Sequence, residues 1–270
     1  MKLIVAGATG LVGTEIVRQC LQRSEITQII ALARKPVELH DEDPTFKLKS
    51  VVVRDYGEYP DHVRAEFEGA DACIWYLTII LPQSSIERLD KPRRILMSLS
   101  FRIVVVILFR TGNFDFAEVK RVCQDCTLAG FKAIYDSRRT KPFHFLYFSA
   151  DGTPRDPAKK PAVLGDYQVM RCETELMVLK FPEEYPNIDI CIAQPGVIVN
   201  STTLSRAMVA AVFRVINTFT RAIPNIHREE LSAAVLDLIV TGFDKDRVGN
   251  SELVDRGQKA LKTTKGRSQT

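Results

Sequence analysis

A doubly wound α/β fold, a parallel sheet with helices on both faces, is predicted by three observations in this sequence. Apolar runs of strand length alternate with stretches whose apolar residues recur at helical spacing. The first run, Met1-Lys-Leu-Ile-Val-Ala6, passes through Gly7-Ala-Thr-Gly-Leu-Val-Gly13 directly into an amphipathic stretch. A chain of 270 residues with 46% hydrophobic and 26% charged residues is composed like an ordinary globular protein and is long enough for one large core.

The opening motif describes a strand, a tight glycine turn and the start of a helix, with Leu11, Val12, Ile16, Cys20 and Leu21 at roughly helical spacing. Glycines suit such a turn because it needs unusual backbone angles, close approach of the main chain to a pyrophosphate, and tight packing of helix on strand. The phosphate then sits at the helix N-terminus, where unpaired N–H groups point. A second strand follows at the expected distance, which makes the motif a Rossmann-type dinucleotide-binding turn. Its candidate contacts are Gly7, Thr9, Gly10, Leu11, Val12 and Gly13.

Gln28-Ile-Ile-Ala-Leu-Ala33 is the second predicted strand and Leu48-Lys-Ser-Val-Val-Val-Arg54 the third. A helical stretch around His62 to Phe67 precedes a fourth strand, Ala70 to Leu77. After an irregular middle segment the alternation resumes with a long amphipathic helix from Phe114 to Ile134 and a strand from His144 to Ser149. A helix from about Gly165 to Leu179, a strand from Ile188 to Ala193 ending in Gln194-Pro195-Gly196, and helices near Leu204 to Phe219 and Arg228 to Gly242 complete the pattern. Residues 1–261 are expected to form one domain, with 197–261 as a small helical lobe on the substrate side and 262–270 as a frayed basic tail.

The segment 78–112 breaks the rhythm. It holds six Lys or Arg residues and the apolar run Ile103-Val-Val-Val-Ile-Leu-Phe109. That run falls far short of the roughly 20 residues a membrane helix needs, and joining it to Ile95 to Phe101 places Arg102 near the middle, so no membrane partner is expected. The net charge of +4 comes from scattered residues, which argues against nucleic acid as a partner. Six cysteines fall mostly within predicted strands and helices and the first residues form a core strand, so a reducing, cytoplasmic setting is expected. Cys123-Gln-Asp-Cys126 has the spacing of half a zinc site, but no second pair or nearby histidine completes it. Helix packing is the expected role, and no metal is.

Other residues carry chemistry. The second strand runs into Arg34-Lys35, where an acidic residue would mark NAD; a planar guanidinium and a second cation suit the 2′-phosphate of NADP instead. Asp55, just after the third strand, is a candidate acceptor for the adenine amino group, or an ordinary turn aspartate. Tyr167 and Arg171 are four residues apart on one helix face. A phenol beside a cation can have its pKa lowered and act as a general acid or base. Ser149 ends a strand where doubly wound sheets place their ligands.

Taken in order, Gly7 to Gly13, Arg34, Asp55, Ser149, Tyr167-x-x-x-Arg171 and Gln194-Pro195-Gly196 resemble the atypical short-chain dehydrogenase/reductases, in particular their NAD(P)-binding, NmrA-like branch. The resemblance spans Met1 to Trp75 and Phe114 to about Leu261. It implies a cofactor held by Gly7, Gly10, Gly13, Arg34 and Asp55, with Pro195 beside it, and a catalytic Ser149 and Tyr167. Three departures stand out. Arg171 replaces the family's lysine and cannot mimic a compact ammonium. Trp75-Tyr-Leu-Thr78 lacks the glycine usual after the fourth strand, so a side chain can crowd the site. Residues 79–111 look inserted, either as a lid particular to this chain or as translated intron sequence, which transcript reads across the segment distinguish. The expected function is NADP-dependent hydride transfer between a carbonyl and an alcohol on a small organic molecule. A non-catalytic NADP-binding regulator is the alternative, and a sugar-nucleotide epimerase or dehydratase a third reading.

Overall fold

The computed structural model describes residues 1–39, 46–77, 116–137, 142–161, 165–199 and 224–267. The segment 78–112 and the helix expected near Leu204 to Phe219 lie outside them.

Nine strands and six helices occur among the described residues: β1 (Lys2–Ala6), α1 (Leu11–Leu21), β2 (Gln28–Ala33), β3 (Leu48–Val52), α2 (Asp61–Phe67), β4 (Ala72–Trp75), α3 (116–137), β5 (Phe143–Phe148), α4 (Gly165–Glu184), β6 (Ile188–Gln194), β7 (Val197–Val199), β8 (Asn225–His227), α5 (Arg228–Thr241), β9 (Arg247–Gly249) and α6 (Asn250–Arg267). Within α3, Phe116–Lys120 and Cys126–Ser137 are joined by a π-helical turn at Arg121–Asp125. Seven strands form one sheet in the order β3-β2-β1-β4-β5-β6-β9, every pair parallel. The separate β7 and β8 pair with each other.

The sheet is apolar on both faces because each face is covered. Successive side chains point to opposite sides of a strand. Leu3 and Val5 therefore join Ile29, Ala31, Ile74, Leu146 and the buried residues of α1 and α5 in one core. Ile4 and Ala6 join Ile30, Leu32, Trp75, Phe145 and Ile192 in the other, beneath α2, α3 and α4. Strands buried on both sides read as near-continuous apolar runs, which is why β1, β2 and β5 were legible in the sequence.

Several elements differ from expectation. The third and fourth strands are shorter, ending at Val52 and Trp75. Leu77 has left the ladder, whereas Val53 still donates its N–H to the Ala33 carbonyl at 2.9 Å. Helix α4 runs on to Glu184, and β9 was not anticipated, because three residues carry too little pattern. Of the segment expected as a C-terminal lobe, β9 joins the main sheet and α5 packs its buried Leu231, Val235 and Leu238 into the core that α1 also lines. Helix α6 continues through Arg267, into the tail expected to fray. Leu253 anchors its start in the core, and no proline interrupts it. Among the described residues, no helix is long and apolar enough to cross a membrane.

Trp75 anchors the second core. It is fully buried, its indole N–H donates to Thr127 Oγ1 at 3.0 Å, and its rings meet Tyr56 and Phe131 edge-on. Helix α3 can approach this closely because residue 130 is glycine: an added Cβ would come within 2.6 Å of Trp75 Cζ3. Overpacking a rigid buried ring costs about 1–3 kcal/mol. Gly130→Ala is accordingly expected to destabilise the fold by that amount despite alanine's better helix propensity. A denaturant melt showing a stabilised variant would contradict the packing.

Candidate functional site

The parallel register gathers the site at one edge of the sheet. Ala6 pairs with Leu32 and with Trp75, Trp75 with Tyr147, and Phe148 with Ala193. Residues that directly follow these strands, Gly7, Arg34, Tyr76, Ser149 and Pro195, therefore emerge along one carboxyl edge. The chain order reverses between β1 and β4, and doubly wound sheets place their ligands in the crevice beyond the strand ends at such a switch point.

Gly7 has φ +78°, a left-handed conformation that costs a side chain dearly, and any Cβ on it would run into the Tyr76 carbonyl. A Cβ on Gly13 would strike the Gly7 carbonyl, so α1 can pack only where position 13 is bare. The turn closes with Gly10 N–H donating to the Gly7 carbonyl at 2.9 Å. Helix α1 begins at an N-cap, Gly10, that supplies no side-chain bond, and its first turn holds no acidic residue. Helix geometry leaves the N–H groups of Leu11, Val12 and Gly13 without intrahelical acceptors. The positive end of α1 is thus uncompensated by its own side chains. Thr9 is exposed beside it.

A residue that sequence reasoning missed braces this turn. Buried Tyr56 donates its hydroxyl to the Leu32 carbonyl at 2.8 Å and accepts the Gly7 N–H at 3.3 Å. Burial pushes its phenol up to about 12, so it remains a donor. Its position beside Asp55 in the loop after β3 was the available signal. Arg34 and Lys35 are exposed immediately after β2.

Asp55 is more heavily engaged than a turn aspartate alone. Oδ1 accepts the Gly57 N–H at 2.8 Å and Arg121 Nη1 at 3.1 Å, and Oδ2 lies 3.2 Å from the same nitrogen. The Gly57 bond first, and then Arg121, hold the carboxyl below its usual range.

Tyr76 directly follows β4, where the family resemblance implies a glycine. Its ring packs edge-on against Phe148 with centroids 4.9 Å apart and reaches within 3.6 Å of where a Cβ on Gly10 would stand. Tyr76 is thus the side chain that stands beside the turn in place of a glycine; Thr78 lies outside the described residues.

Ser149 follows β5 and is buried, its N–H donating to the Ala193 carbonyl at 2.8 Å. Its Oγ lies 3.4 Å from Thr153 Oγ1, which is 3.2 Å from Gln168 Oε1 on α4. That chain brings Ser149 to the helix of Tyr167 and Arg171. Arg171 is buried; Nη1 donates to the Tyr147 hydroxyl at 2.9 Å and its guanidinium carbon lies 5.7 Å from the ring centroids of both Tyr147 and Tyr167. Tyr147 was missed, though two-residue alternation puts it on the same strand face as Ser149.

The phenol of Tyr167 corrects one expectation. Burial raises its pKa, and the opposing pull of Arg171 is too weak to bring it down. Cys123 and Cys126 are both buried in α3 with raised thiol pKa values, pushed by burial, which fits packing.

No known protein-family profile matches the chain. Among solved structures, vestitone reductase from alfalfa (Medicago sativa L.) is similar with a TM-score of 0.60 at 18% identity, covering 92% of this chain and 76% of that one. The dTDP-glucose 4,6-dehydratase DesIV from Streptomyces venezuelae, in a structure with NAD bound, is similar with a TM-score of 0.58 at 14% identity, covering 97% of this chain and 81% of that one. A short chain dehydrogenase/reductase from Saccharomyces cerevisiae gives 0.58 at 11% identity, covering 94% and 98%. The chain has the Rossmann-type fold of the short-chain dehydrogenase/reductases. In sequence, 75 residues are 36% identical to the leucinostatins biosynthesis cluster protein T of Purpureocillium lilacinum. That match spans 28% of this chain and about a quarter, 27%, of the relative's length.

Proposed function

We propose that the chain is an NADP-dependent oxidoreductase that reduces a carbonyl on a small organic molecule, or runs the reverse oxidation. The observation that carries this reading is the β1–α1 turn: it closes tightly because a Cβ at Gly7 or Gly13 would strike the chain's own carbonyls, and it leads into a helix N-terminus with no side-chain cap. These features fit a pyrophosphate, with Gly10, Leu11, Val12 and Gly13 around it and Pro195 at the far lip of the crevice. Arg34 and Lys35, exposed at the end of β2, would hold the 2′-phosphate. When bound, the cofactor supplies hydride from its nicotinamide ring.

The protein's own part is to bind, orient and move one proton. Ser149 Oγ donates to the carbonyl oxygen, and Tyr167 Oη transfers its proton to the developing alkoxide. Arg171 lies against the Tyr167 ring and adds positive charge, yet its Nη1 is committed to Tyr147. That commitment favours a second reading, an NADP-binding regulator without turnover.

Two experiments test the proposal. Arg34→Ala is expected to weaken NADPH binding by about 10-fold, one charge-assisted contact, while leaving NADH binding nearly unchanged. Tighter binding of NADH than NADPH by the wild type would overturn the NADP assignment. The second is a carbonyl screen comparing wild type with Tyr167→Phe across pH. A phenol donates only while protonated, and burial raises its pKa, so reduction should stay flat through neutrality and fall only at strongly alkaline pH. Equal turnover by Tyr167→Phe removes the tyrosine from the mechanism; no turnover with bound NADPH selects the regulator.

A further inference from the structure

We propose that Arg121 is a stacking platform for the adenine base, a role that rests on the dinucleotide-binding reading above. Glu118 grips the guanidinium side-on, Nε to Oε2 at 2.7 Å and Nη2 to Oε1 at 2.8 Å. Nη1 reaches both Asp55 oxygens, at 3.1 and 3.2 Å, and lies 3.7 Å from Cys126 Sγ. All three nitrogens are engaged along the rim of the group, and guanidinium donors lie only in its plane. What the plane still offers is its two faces, and the side chain is 43% exposed.

Position supplies the ligand. The adenosine ribose of a dinucleotide sits at the end of the second strand, so its base lies farther along the sheet edge, toward β3. Asp55 follows β3, and its neighbour Tyr56 bonds to the glycine turn itself, which sets Arg121 on the adenine side of the crevice. The π-helical turn begins at Arg121, and such turns are frequent at functional sites. Asp55 then acts through Arg121, orienting the plane, in place of reading the adenine amino group directly.

Base stacking is sequence-tolerant but needs a flat partner. Calorimetric titration of wild type, Arg121→Ala and Arg121→Lys with NADPH and with 2′,5′-ADP tests the idea. Both variants should lose about 10-fold in affinity for both ligands, lysine as much as alanine, because it keeps the charge and lacks the face. A lysine variant within twofold of wild type overturns the platform. Wild-type protein that binds NADPH but not 2′,5′-ADP also overturns it, leaving the dinucleotide reading intact. Binding of neither ligand removes the dinucleotide reading and the platform with it.

Discussion

Gly10→Asp is expected to raise the dissociation constant for NADPH at least about 100-fold while leaving the melting temperature at or above that of the wild type. Aspartate is among the best N-cap residues, better than glycine by a few tenths of a kcal/mol, and its charge complements the helix end. The backbone permits it, since Gly10 has φ −76°, ordinary for any residue. Its new Cβ would stand 3.1 Å from the Gly7 carbonyl, a contact relieved by a small shift. Its carboxylate would take the N–H groups a pyrophosphate needs. Two like charges about 4 Å apart cost about 4 kcal/mol at an effective dielectric constant of about 20, more than the hundredfold requires. Calorimetry with a parallel thermal melt separates the effects, because misfolding would lower both affinity and stability. Unchanged affinity would mean that no phosphate sits on α1.

The second large effect concerns the buried carboxylate of Glu175, one helical turn beyond Arg171. Only 1% of Glu175 is exposed; Oε1 accepts Gln194 Nε2 at 2.9 Å and Oε2 accepts Arg247 Nε at 3.2 Å. The pair ties α4 to β9, a three-residue strand that the sequence pattern hides. Glu175→Leu would leave a guanidinium with only the exposed Asp246 at 3.2 Å. Removing one partner of a buried pair costs about 3 kcal/mol, which for a chain of this size is a melting temperature lower by about 8 °C. Replacing both partners, Glu175→Leu with Arg247→Met, should recover most of the loss, since an apolar pair needs no countercharge. A double variant less stable than Glu175→Leu would show that the ion pair is not what holds β9.

How much of this was legible depended on the range of the interaction. β1, β2, β5 and β6 were found almost to the residue because strands buried on both faces stay apolar throughout. The glycine turn was legible for a related reason: positive φ at Gly7 and the bare contact at Gly13 are backbone demands that only one residue type meets. Arg34 and Lys35 followed from position alone, being the first residues past β2.

Contacts between distant segments were not legible. No spacing connects Tyr56 to the Leu32 carbonyl, Arg121 to Asp55 across 66 residues, or Glu175 to Arg247 across 72. The pKa of Tyr167 was misjudged for the same reason. Its cationic neighbour is local and visible at four-residue spacing, whereas its burial is a property of the assembled core, and the second effect is the larger.

The sequence by itself determined the doubly wound sheet, the glycine turn and the cationic end of β2, because strand periodicity, glycine stereochemistry and formal charge are local properties. Tertiary structure alone decided which side chains meet: Tyr56 under the glycine turn, Tyr76 over it, Arg171 on Tyr147, and Asp55 on Arg121. Hydrogen bonds and desolvation depend on what packing brings within about 3 Å, and residues far apart in the chain set that distance only once the core has closed.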